Sequence, residues 1–297
     1  MRIVTRGDFD GLTCAVIITS NETVDEISLI HPQDITDKRV EIRKTDILAN
    51  VPYHPNCGKW FDHHVQTDNY PMPPGQFDGA YGLAPSAAGL VYQYYGGLAK
   101  MPKLEELVHE ADRLDSAQLT WEEVLNPKGY ILLGYTIDSR SGHGSFEGYF
   151  HMLVDLLKTK TIREILRHPE VKERCEKMLT DDSSFRETLL TNSRVDGNVV
   201  VSDFRKLDRI PTGNRFLVYA LYPDVNVSVR VHWGPQRHFI VAAVGHSIFN
   251  RTCNTNVGEL MSKYGGGGHR GEGTTPLLPE QTDAALEEIV EELKRNG

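Results

Sequence analysis

The chain has 297 residues, 39% hydrophobic and 25% charged. That is the composition of a globular protein long enough for two domains, and not of a disordered or collagen-like chain. Lys and Arg number 32 against 41 Asp and Glu, a net charge of −9. This speaks against tracking long duplex DNA, which calls for a basic field, but allows a small anion held by a few local cations.

In chain order, Arg2–Thr5 reads as a short strand and Leu12–Ser20 as a helix. Ile27–His31, Val40–Ile47 and Lys59–Phe61 read as further strands. Ser86 is placed to cap a helix over Ala87–Tyr95. Leu104, Leu107, Val108 and Ala111 recur at helical spacing over Leu104–Leu114. Strands alternating with helices predict crossover units and a parallel sheet. From Phe146 to Asn192 the pattern is mostly helical, and Asp196-Gly197 then marks a turn. Val199–Asp203, Phe216–Leu221, Val225–Val231 and Phe239–Val244 read as strands, Val257–Tyr264 and Glu280–Lys294 as helices. The expected fold is α/β: an N-terminal parallel-sheet domain with a helical connector over 1–195, and a smaller α/β domain over 196–297. Apolar runs such as Ala15–Ile18 fall far short of the ~20 residues of a membrane helix. Met1–Asp10 carries charge where a signal peptide is apolar, so a cytoplasmic location is expected. Cys14, Cys57, Cys175 and Cys253 form no CxxC and are expected as free thiols.

The chemistry concentrates in acids and histidines. Asp8-Phe9-Asp10-Gly11 follows the first strand. If that strand continues, Asp8 and Asp10 share a face about 6.6 Å apart and repel unless a cation lies between them. A solvated turn with Asp as a helix cap is the plainer reading. Asp62-His63-His64 follows Trp60-Phe61; neighbouring histidines on an extended chain face opposite ways, so one can ligate an ion while the other faces substrate or a carboxylate. Asp46 lies after β-branched residues, and Asp112, with Asp115 nearby, lies at the end of the Leu104 helix. Acids or histidines at three separate strand ends suit a divalent centre for phosphate transfer. A zinc clip from His54, Cys57, His63 and His64 is a weaker alternative, lacking a second paired element. Gly265–Gly268 with His269 and Arg270 fails as a dinucleotide fingerprint, because it follows a helix. Its backbone N–H groups, those two side chains and nearby Arg251 suit an anion.

Taken in order, Thr5-Arg6-Gly7-Asp8-Phe9-Asp10-Gly11, Asp62-His63-His64, and Asn250-Arg251-Thr252 through Gly265–His269 resemble the DHH phosphoesterase superfamily. The last set is similar to its DHH-associated subfamily 1 domain. The resemblance covers most of the chain and is poorest over Phe146–Asn192. Its members include RecJ-like nucleases, nanoRNases, cyclic dinucleotide phosphodiesterases and exopolyphosphatase-like proteins. It implies a hydrolase with two ions, usually Mn2+ with Mg2+ or Co2+ as alternatives, and substrate in a cleft between domains. It implies Asp8 and Asp46 on one ion and Asp10, Asp46, His63 and Asp112 on the other, Asp112 being preferred to Asp115 for its Ala111-Asp112 context. His64 would face the scissile phosphate, making Asp10 and His64 the catalytic candidates. Arg251 and His269 would grip a terminal or non-scissile phosphate, alongside Gly266, Gly267, Gly268 and Arg270. One departure stands out: members carry His where this chain has Arg6, and a guanidinium cannot ligate a metal. Either that ion site is weaker, or water replaces the imidazole, or one ion is held; Arg6 would then contact phosphate or pair with Asp8. The expected activity is hydrolysis of small nucleotides or short single-stranded oligonucleotides by metal-activated water. Exopolyphosphatase action, and nucleotide binding with little turnover, are the alternatives; a homodimer stays open.

Overall fold

The computed structural model describes residues 1–64, 72–73, 75–137 and 146–297. Contacts divide it into two units, Met1–Leu119 with Pro127–Glu176, and Thr120–Asn126 with Lys177–Gly297. No helix among the described residues is long and apolar enough to cross a membrane.

The first unit is built on β1 (Arg2–Thr5), β2 (Glu26–Leu29), β3 (Asp46–Ala49), β4 (Lys59–Asp62) and β5 (Gly79–Tyr81). All are parallel, in the order β2-β1-β3-β4-β5. The helix Phe9–Asn21 returns the chain from β1 to β2 and is buried continuously from Phe9 to Ile18. It packs with the helices Ala87–Tyr94, Glu105–Asp115 and Phe146–Thr159 in one core. The strand order reverses between β1 and β3. In such sheets the carboxyl ends of the strands at the reversal form the ligand crevice, because the loops there diverge to opposite faces. That end carries Arg6, Asp8 and Asn50.

The second unit holds a mixed sheet in the order β10-β11-β9-β8-β7-β6. Its strands are β6 (Ser193–Asp196), β7 (Val199–Asp203), β8 (Val227–Trp233), β9 (Ile240–His246), β10 (Gly267–Gly268) and β11 (Glu272–Leu277). The helices Val257–Ser262 and Thr282–Arg295 contribute to its core.

Three differences between expectation and structure have a plain physical reason. The chain divides inside the Pro169–Asn192 helix rather than near Asp196: Val171 and Cys175 join the first core, while Phe185 packs on Phe204, ring centroids 6.2 Å apart. The expected strand over Phe216–Leu221 is a short helix, Leu217–Leu221, in which Leu217 to Ala220 are all buried. A run of apolar residues with no polar face does not reveal its period. The strand expected over Val40–Ile47 begins only at Asp46.

Candidate metal centre

The first strand ends at Thr5, so Asp8 and Asp10 do not alternate along it. Asp8 caps the helix Phe9–Asn21, its Oδ1 accepting from the Gly11 N–H at 2.8 Å. Asp10 lies in the first turn and is 2% exposed. Gly11 permits this tight entry, since a Cβ there would lie 2.2 Å from the Arg6 carbonyl oxygen. Both Asp10 oxygens accept from the start of the next helix, Oδ2 from Ala87 N–H at 3.0 Å and Oδ1 from Ala88 N–H at 2.7 Å. The positive helix end holds the carboxylate in place. Burial, then the charges of Asp115 and Asp8, nevertheless push its pKa well above the usual carboxylate range.

The loop after β4 turns its two imidazoles to different tasks. His63 Nδ1 lies 3.0 Å from the Ala84 carbonyl oxygen. A carbonyl only accepts, so Nδ1 is the donor, and a ring with its one proton there presents a lone pair at Nε2. That Nε2 is buried with no hydrogen-bond partner among the described residues, 3.2 Å from Asp115 Oδ2 and 3.7 Å from Asp10 Oδ2. His64 turns to Asp62, its Nδ1 donating to Oδ1 at 2.8 Å, while the Tyr81 hydroxyl holds the His64 carbonyl at 3.1 Å. Burial lowers the His64 pKa, but the hydrogen bond and charge of Asp62 outweigh it and the net shift is upward.

Asp10, His63 and Asp115 each present a ligand atom within 4.8 Å of the others. Burial, the largest influence, raises the Asp115 pKa; His63 opposes this and Asp8 adds to it. Asp112, the acid expected from sequence, instead accepts from the Ser86 hydroxyl at 2.6 Å. Ser86 caps the helix whose N–H groups hold Asp10, so Asp112 supports the centre without facing it.

Asp46 is also placed elsewhere. It starts β3, at the end of the sheet opposite the centre, and is fully buried in an ion pair with Arg2. Arg2 Nη2 and Nε donate to Asp46 Oδ2 and Oδ1 at 2.5 and 3.2 Å. The residue at the carboxyl end of β3 is Asn50, whose Nδ2 donates to Asp8 Oδ1 at 3.0 Å and whose Oδ1 is buried with no hydrogen-bond partner among the described residues. Sequence reasoning passed over Asn50 by seeking an acid; its place one residue past the strand was the available signal. Arg6 Nε lies 3.0 Å from Asp8 Oδ2.

In the second unit the glycine run is hydrogen-bonded into a turn and a short strand. Gly265 and Gly266 N–H groups donate to Ser262 and Met261 carbonyls at 3.1 and 3.0 Å, and the His269 N–H donates to the Glu272 carbonyl at 2.7 Å. Gly267 and Gly268 pair with Thr274 and Gly273 as β10. These bonds use three of the backbone donors that an anion cradle would need. Arg251 is exposed and donates from Nε to the Ile248 carbonyl at 3.0 Å, and Arg270 Nη2 approaches the Asn254 carbonyl at 3.4 Å. His54 and Cys57 meet through turn contacts, Cys57 N–H to His54 carbonyl at 3.0 Å. Among the described residues, Asp10, His63 and Asp115 are the group of three whose ligand atoms converge.

A cation fits that group. Two carboxylate oxygens facing a lone pair repel one another, and a borderline or hard divalent ion prefers this mixed O,O,N donor set. No family model matches the sequence and no curated protein matches it. Among solved structures the chain is similar to a pGpG-specific phosphodiesterase, PggH from Vibrio cholerae, at 39% identity and TM-score 0.86 over 100% of this chain and 99% of that one. RecJ from Thermus thermophilus, solved with Mn2+, shares the fold at 14% identity and TM-score 0.59, over 99% of this chain and 52% of that one. An exonuclease RecJ bound to manganese does so at 12% identity and TM-score 0.55, over 97% and 89%. With the Asp-His-His motif placed beside convergent acids, and with these likenesses, the chain belongs to the DHH phosphoesterase superfamily.

Proposed function

We propose that this protein is a divalent-metal-dependent phosphodiesterase of short nucleotide diesters, with the linear dinucleotide pGpG as the first substrate to test. The observation that carries the reading is the buried Nε2 of His63, which has no hydrogen-bond partner among the described residues and lies 3.2 Å from Asp115 Oδ2 and 3.7 Å from Asp10 Oδ2. These three side chains would hold the ion, Mn2+ before Mg2+ or Co2+. The ion supplies a lowered pKa for a bound water and neutralises charge on the phosphoryl oxygens.

The chain's own groups supply the rest. Asp62 fixes the His64 ring and favours its protonated form, which suits a donor of a proton to the leaving oxygen. In the net reaction one water is consumed. Its oxygen bonds to phosphorus, the ester bond to the leaving ribose oxygen breaks, and that oxygen receives the proton. Arg251, His269 and Arg270 are proposed to hold a non-scissile phosphate by charge, with Gly266, Gly267 and Gly268 shaping the hairpin that carries the last two. The likeness to PggH at 39% identity supports the substrate class. The test is turnover of pGpG, longer oligonucleotides and inorganic polyphosphate with each of the three ions. Dinucleotide cleavage that disappears on chelation and returns with Mn2+ is expected. Turnover of polyphosphate alone, or undiminished turnover after chelation, would reject the proposal.

A further inference from the structure

The centre has a second pole, around Asp8, and its chemistry differs from that of the Asp10 pole. Asp8 already has three partners: the Gly11 N–H at 2.8 Å, Asn50 Nδ2 at 3.0 Å and Arg6 Nε at 3.0 Å. One of these is a guanidinium and carries a full positive charge. A divalent ion at this pole would meet a carboxylate already neutralised, and a guanidinium beside it. Asn50 offers only a neutral carbonyl oxygen. Asp46, the acid that could bridge two ions, lies four residues down β3, about 13 Å away at strand rise, and is committed to Arg2.

Arg6 is well placed for another role. It directly follows β1 at the strand-order reversal, and its side chain is 38% exposed. Its Nε is the atom nearest Asp8, at 3.0 Å, and a guanidinium has a second, Nη edge that can bind an oxyanion.

Building on the proposed function, we infer that this centre holds one divalent ion, at Asp10, His63 and Asp115, and that Arg6, held by Asp8, supplies the second positive charge to the scissile phosphoryl group. Arg6 is then a catalytic residue, and Asp8 and Asn50 position it. The substitution of a guanidinium for an ion makes transition-state charge stabilisation independent of metal concentration at that pole.

Two measurements test this on the full chain. Titration calorimetry with Mn2+ alone, checked by elemental analysis after gel filtration, should give one ion per chain. In the Arg6→His, Asn50→Asp double variant, which restores a nitrogen and a carboxylate ligand around Asp8, the count should rise to two. Two ions in the wild-type protein would overturn the inference, as would an unchanged count of one in a folded double variant. Separately, Arg6→Ala should lower kcat for pGpG by roughly 10²–10³-fold, the loss seen when one oxyanion donor is removed, with Arg6→Lys recovering part of it. An unchanged kcat in Arg6→Ala would remove Arg6 from the reaction. The ion count is read without turnover, so a chain that binds one Mn2+ and cleaves no dinucleotide would reject the proposed function and leave the count standing.

Discussion

Two regions attract attention in the sequence, the acid and histidine motifs of the first unit and the four glycines of the second, and the structure treats them oppositely. At Asp10, His63 and Asp115 the local hydrogen bonds leave atoms over: His63 Nε2 is buried and has no hydrogen-bond partner among the described residues. Along Gly265–His269 three backbone donors, those of Gly265, Gly266 and His269, are consumed by Ser262, Met261 and Glu272. A side-chain cluster whose polar capacity exceeds its internal partners points to a ligand. A backbone whose donors are spent internally points to packing.

The largest effect that could break this contrast is at His63. Groups that merely orient a metal ligand cost about 10–100-fold when removed, so a ligand itself should cost more. His63→Ala is expected to lose more than about 100-fold in kcat/KM and to abolish the rise in Tm that Mn2+ gives the wild-type protein. Retained Mn2+ stabilisation would place the ion elsewhere. Next come two glycine variants. A Cβ on Gly266 would sit 2.1 Å from the Thr274 carbonyl oxygen, whereas one on Gly267 meets nothing within 4 Å. Gly266→Ala should lower Tm markedly and Gly267→Ala should leave it nearly unchanged. If Gly267→Ala instead kept its Tm and lost turnover, the run would be an anion cradle after all.

The contrast sharpens on the Glu105–Asp115 helix. Asp115→Asn should weaken Mn2+ binding, because the carboxylate charge facing His63 is lost. Asp112→Asn should leave Mn2+ binding intact and cost about 1 kcal/mol through the weakened Ser86 hydrogen bond. Equal effects on Mn2+ affinity would erase the distinction between them. The smallest effect is in pH. The Asp10 and Asp115 pKa values are raised, so in the metal-free protein their ionised forms are disfavoured by folding. The stability these groups contribute is present at low pH and lost as pH rises through the raised values. A bound cation reverses that penalty and competes with protons. The Tm increment from Mn2+ should therefore grow with pH, and an increment that shrank with rising pH would contradict the assignment.

Much of this was legible in the residues. The parallel sheet follows from strands alternating with helices, and Asp62-His63-His64 announces itself by type and order. Arg6 beside Asp8 was one of the arrangements the substitution allowed. The choice between Asp112 and Asp115 was not legible. Three residues apart on a helix, they lie near one face, and only the helix's rotation in the core decides which acid points at His63. Asp46 misled because the onset of β3 was set several residues early, which exchanges the two ends of the strand. The glycines misled because their reason is non-local: a Cβ on Gly266 would lie 2.1 Å from the Thr274 carbonyl oxygen and one on Gly268 2.2 Å from that of Glu272.

The Arg2–Asp46 pair has a consequence far from where it sits. It fastens β1 to β3 in a register that runs Arg2 to Asp46 and Thr5 to Ala49. The next step along both strands puts Arg6 level with Asn50. A slip of one residue would turn one of them to the wrong side of the sheet. The buried ion pair thus acts as the datum of a ruler, and the spacing of the reactive groups is read off from its far end.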